Sequence, residues 1–97
     1  MNIDKCIEAT GVTLLEVYAP WCPHCRRMMP VVAALKKKYE GKAAVVQCDG
    51  DAHPEVDDRL HVSSYPTWIV YKDGAEVYRA TGEMPQSELE AIINKYL

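Results

Sequence analysis

The sequence has no excess of basic residues and no long apolar run, and these absences exclude two classes of protein. Its 11 lysines and arginines are outnumbered by 14 aspartates and glutamates, so the formal net charge is −3. Such a chain has no basic surplus with which to neutralise the phosphates of a nucleic acid. Apolar residues never run for the roughly 18 positions that indicate a membrane-spanning helix. We therefore expect neither nucleic acid nor a membrane as a partner.

The amino-terminal residues also lack the features of an export signal. The segment MNIDKCIEAT contains Asp4 and Glu8 and no apolar stretch of signal-peptide length. The chain is therefore predicted to be soluble and cytoplasmic, in a compartment that keeps most thiols reduced. In such a compartment, a close pair of cysteines more often binds a metal or carries out redox chemistry than forms a structural disulfide.

Repeats, linkers and low-complexity segments are missing as well. A chain of 97 residues, of which 48% are hydrophobic, is long enough for one core and too short for two domains. We predict a single domain over residues 1–97 and a monomer.

The spacing of apolar residues predicts strands and helices in alternation, followed by a β-hairpin. Apolar residues are nearly continuous at 13–19, as in a buried parallel strand, and then recur every three or four positions from Cys25 to Tyr39, as on one side of a helix. Asp73-Gly74 is a strong hairpin signal. The predicted elements are a short helix within 1–10, a strand at 13–19, a helix from Pro23, a strand at 43–48, a helix at 54–61, strands at 67–72 and 76–81, and a helix from about Pro85. This order is typical of an α/β fold.

Two cysteines three positions apart, in the segment APWCPHC, lie where the first strand is predicted to lead into a helix. Cys22, at the helix start, would face free backbone N–H groups and the positive end of the helix dipole, which favour the thiolate over the thiol. Cys25 would lie one turn further on the buried side of the helix, close enough to form a disulfide with Cys22. The pair is suited to thiol–disulfide exchange.

The residues around Cys22 are expected to tune its acidity. His24, Arg26 and Arg27 add positive charge or hydrogen-bond donors, which stabilise a thiolate and lower its pKa. Pro23 suits the first helical turn, because no helical hydrogen bond is lost there. The alternative for the two arginines is a solvated helix face with no role in the chemistry.

A metal site is an alternative use of the cysteines. Thiolate and imidazole ligands for zinc are available in Cys22, Cys25, Cys48, His24, His53 and His61. A structural zinc site usually needs a second close pair of ligands, whereas His53 and His61 are eight positions apart. A c-type haem would need histidine directly after Cys25, where the chain has Arg26. We expect no metal and no cofactor, and a metal-binding module stays open as an alternative.

Four features together resemble the thioredoxin family over almost the whole chain. They are a strand ending in APWC, a Cys-x-x-Cys helix with Pro30 five residues after its second cysteine, the tripeptide YPT and a KDG hairpin. The resemblance implies a thioredoxin fold, with a four-stranded mixed sheet in the order second, first, third, fourth and helices on both faces. Because the chain starts late relative to typical members, the amino-terminal edge strand is expected to be missing or minimal.

The resemblance also implies roles around the cysteines. Cys22 would be the exposed nucleophile and Cys25 the resolving thiol of a redox-active disulfide, with Trp21 shielding them. Pro66 matches the cis-proline that lies opposite the disulfide in the family, and the backbone of Tyr65 would then pair with an extended substrate strand. The alternative for Tyr65-Pro66 is an ordinary turn before a strand.

Glu16 matches the buried aspartate that thioredoxins place beneath the second cysteine. A buried acid with a raised pKa can take the proton of that cysteine and return it, and a plain structural role is the alternative. The lysine that often neighbours this acid is not found, since Val45 stands where it is expected. Cys6 and Cys48 match no catalytic position and are predicted to be buried or incidental thiols.

These features predict a thiol–disulfide oxidoreductase that reduces protein disulfides through the Cys22/Cys25 dithiol and a mixed-disulfide intermediate. Its partners would be disulfide-containing proteins and an electron donor similar to thioredoxin reductase. Pro23-His24 replaces the Gly-Pro usual in the family and is similar to the dipeptide of the bacterial periplasmic disulfide oxidase. We therefore expect a redox potential above the value of about −270 mV for thioredoxin and below about −120 mV for the oxidase. A dithiol oxidase or isomerase, and a redox-inert or metal-binding module, are the alternatives.

Overall fold

The computed structural model describes residues 3–97, and this part of the chain contains four helices and four strands. The elements are α1 (Ile3–Ile7), β1 (Val12–Tyr18), α2 (Pro23–Lys38), β2 (Ala44–Asp49), α3 (Pro54–Leu60), β3 (Thr67–Lys72), β4 (Ala75–Thr81) and α4 (Gln86–Tyr96). The predicted order of elements is confirmed, and the strand boundaries fall within one residue of the prediction.

The four strands form one mixed sheet in the order β2-β1-β3-β4. β1 is parallel to β2, with Thr13 opposite Ala44, and antiparallel to β3, with Thr13 opposite Tyr71. β3 and β4 form the hairpin predicted from Asp73-Gly74. Both residues of this turn have positive φ, 49° and 84°, which is typical of a type I′ turn. The sheet order expected from the resemblance is confirmed, and within residues 3–97 no strand precedes β1.

Helices cover both faces of the sheet, as expected. On the face covered by α2 and α4, the buried residues are Val12, Leu14, Met28, Val32, Leu35, Tyr39, Trp68, Val70, Met84, Leu89 and Ile93. On the face covered by α1 and α3, they are Ile3, Ile7, Leu15, Val17, Cys48, Val56, Leu60, Ile69 and Tyr71. Residues along β1 alternate between the two clusters, because side chains of a strand point to opposite faces. A central strand covered on both sides accounts for the continuous apolar run.

The crossover from β1 through α2 to β2 places the cysteine pair at the carboxyl ends of the two parallel strands. Cys25, Met28, Val32 and Leu35 are the buried residues of α2, as their spacing predicts. Within residues 3–97, none of the helices combines the length and apolar character needed to cross a membrane.

Candidate active site

Cys22 occupies the N-cap position of α2, immediately after the turn that follows β1. Its backbone is extended (φ −79°, ψ 121°), and Pro23 begins the helix, where a missing N–H costs no helical hydrogen bond. The pKa of Cys22 is lowered, chiefly by a hydrogen bond from the backbone N–H of Cys25. The Cys25 thiol, the backbone N–H of His24 and the charge of Arg27 lower it further, against the opposing effect of partial burial. Cys22 is therefore the sulfur that forms a thiolate more readily.

Cys25 has the opposite acidity. It is 3% exposed, and its burial raises the pKa of its thiol to about 11, with the neighbouring Cys22 sulfur adding to the shift. Both thiols are free, so the structure has the reduced form of the pair. A thiol that keeps its proton beside an acidic thiol favours a sequence in which Cys22 attacks first and Cys25 follows after losing its proton.

Cys22 is less exposed than the resemblance implied. Only 6% of its surface is accessible, because Cys22 packs with Ala19, Cys25 and Tyr65 in a small cluster of its own. Its sulfur lies 3.8 Å from the carbonyl oxygen of Tyr65. Cys22 therefore offers only a small part of its surface to a substrate sulfur, with Tyr65 packed beside it.

The predicted substrate-binding residues lie close to Cys22 and to one another. The Tyr65-Pro66 peptide bond is cis, and the Tyr65 carbonyl faces Cys22. Trp21 is 59% exposed, and its ring meets the ring of Tyr65 edge-on, with 6.2 Å between the centroids. The structure thus places Trp21, Tyr65 and Pro66 close to Cys22, although Trp21 precedes α2 in the sequence and the other two residues follow it.

Glu16 is a buried carboxyl group on β1, with 2% of its surface exposed. Burial raises its pKa, while a hydrogen bond from Gln47 and the charge of Lys36 partly oppose the rise. Oε1 accepts a hydrogen bond of 3.0 Å from Gln47 Nε2, and Oε2 is buried with no protein hydrogen-bond partner among the described residues. The two oxygens of Glu16 therefore differ, since Gln47 holds Oε1 and no described group holds Oε2.

The neighbour of Glu16 on β2 is set by the strand register. The register of β1 and β2 places Gln47, not Val45, opposite Glu16, and Val45 lies opposite Leu14. Lys36 donates a 2.7 Å hydrogen bond to Gln47 Oε1, so a lysine reaches the acid through an amide. A shift of two residues in this register would place a different side chain opposite Glu16 on the same face of the sheet.

A cleft of about 330 Å³ connects Glu16 with Cys25 and the solvent. Its volume exceeds the space that a water molecule needs, so water can connect the carboxyl group with the thiol. Arg26 lines this cleft, whereas Arg27 lowers the pKa of Cys22 by its positive charge. The lining residues are Glu16, Tyr18, Ala19, Pro20, Cys25, Arg26, Met29 and Gln47.

The side chain of Tyr65 is also held by contacts with Asp57 and Gly50. Its hydroxyl donates a hydrogen bond to Oδ2 of Asp57 on α3. The backbone of Gly50 lies close to the Tyr65 ring, and a Cβ at position 50 would lie 2.7 Å from that ring. Asp57 and Gly50 therefore fix the orientation of Tyr65, and sequence reasoning missed both.

The remaining cysteines lie away from this site. Cys48 is buried in β2, as predicted, and burial raises the pKa of its thiol. Cys6 is half-buried on α1. In the part of the chain that the structure describes, no three histidines, cysteines or acidic residues are arranged to hold a metal ion.

Comparison with known proteins agrees with this geometry. The family model named Thioredoxin matches residues 2–95. The thioredoxin of Staphylococcus saprophyticus is 38% identical over 99% of this chain and 91% of its own length, and that of Staphylococcus aureus is 36% identical with the same coverage. The structure of Plasmodium falciparum thioredoxin superposes with a TM-score of 0.86 at 30% identity, covering 98% of this chain and 91% of the other. The chain therefore belongs to the thioredoxin family and is a thiol–disulfide oxidoreductase, a thioredoxin-like protein-disulfide reductase.

Proposed function

We propose that this chain reduces disulfides of partner proteins by attack of the Cys22 thiolate, with Cys25 resolving the mixed disulfide. The observation that supports this assignment is the opposite acidity of two adjacent thiols, one lowered by helix N–H groups and one raised by burial. Cys22 breaks the substrate S–S bond and bonds to one of its sulfurs, while the other leaves as a thiolate. Cys25 then loses its proton and attacks Cys22, which releases the second substrate thiolate.

Glu16 acts in the second step as the acceptor of the Cys25 proton. Its unpartnered Oε2 and the cleft shared with Cys25 support this role, with a water molecule carrying the proton between them. Gln47 and Lys36 are positioning residues, because they hold Oε1 and leave the other oxygen available. The reaction needs no bound cofactor or metal, since the four sulfur atoms exchange two electrons among themselves.

The substrate would bind as an extended segment across Trp21, Tyr65 and Pro66. Pro66 has no N–H, so the backbone of Tyr65 is free to pair with such a segment. The aromatic rings of Trp21 and Tyr65 supply an apolar contact surface beside Cys22. Because Asp57 holds the hydroxyl of Tyr65, the surface is rigid before the substrate arrives.

The oxidised pair must be reduced again for the next cycle. Two electrons are required to open the Cys22–Cys25 disulfide, and we propose that a donor similar to thioredoxin reductase supplies them. Disulfide-containing proteins are the substrates. The cytoplasmic location, the monomeric state and the single domain over residues 1–97 stay predictions from the sequence.

Insulin reduction tests the assignment. With dithiothreitol as the electron source, we expect the wild-type chain to accelerate insulin reduction and Cys22→Ser to lose the acceleration, because serine cannot form the mixed disulfide. The rate is followed by the turbidity of the released insulin chain, with Cys48→Ser, a buried thiol outside the site, as the control. A wild-type chain that adds nothing to dithiothreitol alone would show that it is not a disulfide reductase.

The redox potential is expected to lie above that of thioredoxin. Groups that stabilise the Cys22 thiolate favour the reduced protein, and a couple that favours its reduced form is more oxidising. Pro23 contributes by beginning the helix at Cys22, and His24 contributes through its backbone N–H, which lowers the pKa of Cys22. Tuning of the potential by Arg26 stays a prediction. The same stabilisation supports the alternative of a dithiol oxidase or isomerase, and the potential separates these functions.

His24→Pro and His24→Ala measure the contribution of position 24. Proline removes both the ring and the N–H that bonds to Cys22, so we expect the potential to fall by about 30 mV, a tenfold change in the equilibrium with glutathione. Alanine keeps the N–H and is expected to cause less than half of that fall. A wild-type potential at or below about −270 mV, or no fall in His24→Pro, contradicts the prediction.

A further inference from the structure

Glu83 joins the first turn of α2 to the segment that precedes α4. Its Oε2 lies 2.7 Å from Nδ1 of His24, and Arg27 Nε donates to both carboxylate oxygens at 3.0 and 2.9 Å. Arg27 Nη2 adds a hydrogen bond of 2.8 Å to Oε2 and lies 3.0 Å from His24 Nδ1. One carboxylate therefore binds two side chains from the first turns of the helix that begins after Cys22.

The segment that carries Glu83 is itself fixed to the active site. The Gly82 N–H donates to the carbonyl oxygen of Pro66 at 2.9 Å, and Trp68 Nε1 donates to the Gly82 carbonyl at 2.8 Å. Gly82 has a φ of +91°, a conformation that residues with a Cβ rarely adopt. Glu83 is therefore held at one position relative to Pro66 and α2.

The charged side chains of this cluster have opposite signs, and one of them, Arg27, acts on Cys22. Arg27 lowers the pKa of Cys22 by its positive charge, and the Cys22 thiolate is formed only when the disulfide is reduced. Glu83 stays ionised at neutral pH, because its bonds to Arg27 and His24 hold its pKa at about 2. A carboxylate paired with a guanidinium cancels much of the field that the guanidinium exerts on a third group.

We propose that Glu83 is a positioning residue that holds Arg27 and His24 and restrains the oxidising power of the Cys22–Cys25 couple. The inference rests on the proposed dithiol chemistry. When two glutathione thiols reduce the disulfide, its S–S bond breaks, Cys22 leaves as a thiolate, Cys25 takes one proton and the second proton goes to solvent, while glutathione is oxidised to its disulfide. Glu83 opposes the charge that stabilises the thiolate, and so opposes this reduction.

Glu83→Gln tests the proposal, because the amide oxygen of glutamine can still accept a hydrogen bond from Arg27 while the negative charge is lost. We expect the Cys22 thiolate to form at lower pH, and the equilibrium with glutathione to shift about three- to tenfold toward the reduced protein. Glu83→Asp keeps the charge and should stay within twofold of wild type. Glu76→Gln is the matched control, since Glu76 pairs with Arg79 on β4, outside the active site.

Arg27→Gln provides the reverse test, with a shift toward the oxidised protein and a higher Cys22 pKa. Thiolate formation is followed by the ultraviolet absorbance of the thiolate. The fraction of oxidised protein is measured by acid quenching and alkylation of the free thiols. Neither measurement depends on insulin reduction. A Glu83→Gln chain that matches Glu76→Gln, or that shifts toward the oxidised protein, overturns the role of Glu83. A wild-type chain that fails to reduce insulin overturns the proposed function instead. The failure of the proposed function and the failure of the role of Glu83 are therefore distinguished by different measurements.

Discussion

Cys25→Ser should remain attached to its substrate, with turnover reduced by at least about a thousandfold. Cys22 keeps the helix N–H groups that stabilise its thiolate, so it still attacks a substrate disulfide. Without the sulfur of Cys25, the active site has no second thiol to break the mixed disulfide, and the covalent intermediate accumulates. This result would separate the roles of the two cysteines, because Cys22→Ser forms no covalent adduct at all.

The trapped complex is detected by non-reducing electrophoresis and by the mass of the adduct, which dithiothreitol must release. Cys6→Ser is the control, because Cys6 is a half-buried thiol on α1 outside the active site. It should show wild-type turnover and no adduct. Turnover by Cys25→Ser near the wild-type rate would assign resolution to another thiol and contradict the order of attack. Proteins captured from a lysate would then identify the substrates.

Glu16→Gln is expected to slow release of the mixed disulfide by about a hundredfold while the first attack stays within twofold of wild type. The first step uses Cys22, whose pKa is already lowered, whereas the second needs the proton of Cys25, whose pKa is about 11. Glutamine preserves the size of the side chain and can still accept the hydrogen bond from Gln47, but it cannot accept the proton.

The pH dependence distinguishes proton transfer from a structural effect. Burial raises the pKa of Glu16 above its ordinary value of 4.5, so the wild-type resolution rate should rise as the pH increases through that raised pKa and then level off. In Glu16→Gln the rate should instead rise about tenfold per pH unit between pH 6 and 8, because hydroxide or solvent must deprotonate Cys25. The measurement is single-turnover release of a preformed mixed disulfide.

Glu40→Gln is the matched control, because Glu40 is an exposed carboxylate just beyond the end of α2. This variant should leave the rates of the first attack and of mixed-disulfide release unchanged. Equal resolution rates in Glu16→Gln and wild type across this pH range would leave Glu16 with a structural role. A loss of rate in Glu16→Gln that is the same at every pH, with the wild-type pH profile retained, would also indicate a structural role for Glu16.

Local sequence patterns determined the elements and the central pair of thiols. The apolar run at 13–19 required a strand covered on both faces, and the three- and four-residue spacing from Cys25 required a helix against the sheet. Cys22 and Cys25 are three positions apart at the start of that helix, so their proximity follows from helical geometry alone. The helices, the strands and the spacing of the two thiols depend on residues that are close together in the sequence, so they can be predicted from it.

The surroundings of the thiols depended on tertiary structure. Gln47 rather than Val45 faces Glu16 because of the strand register, and Lys36 reaches Gln47 from a helix that crosses above it. Glu83 is 56 positions from Arg27, and Asp57 meets Tyr65 from a separate helix. No periodicity or motif marks these residues, because each is an ordinary polar residue whose partner is selected only when packing brings distant elements together. The identity of the reactive pair was therefore a local property, whereas the groups that set its acidity and hold its proton acceptor were decided by the packing of helices and strands against one another.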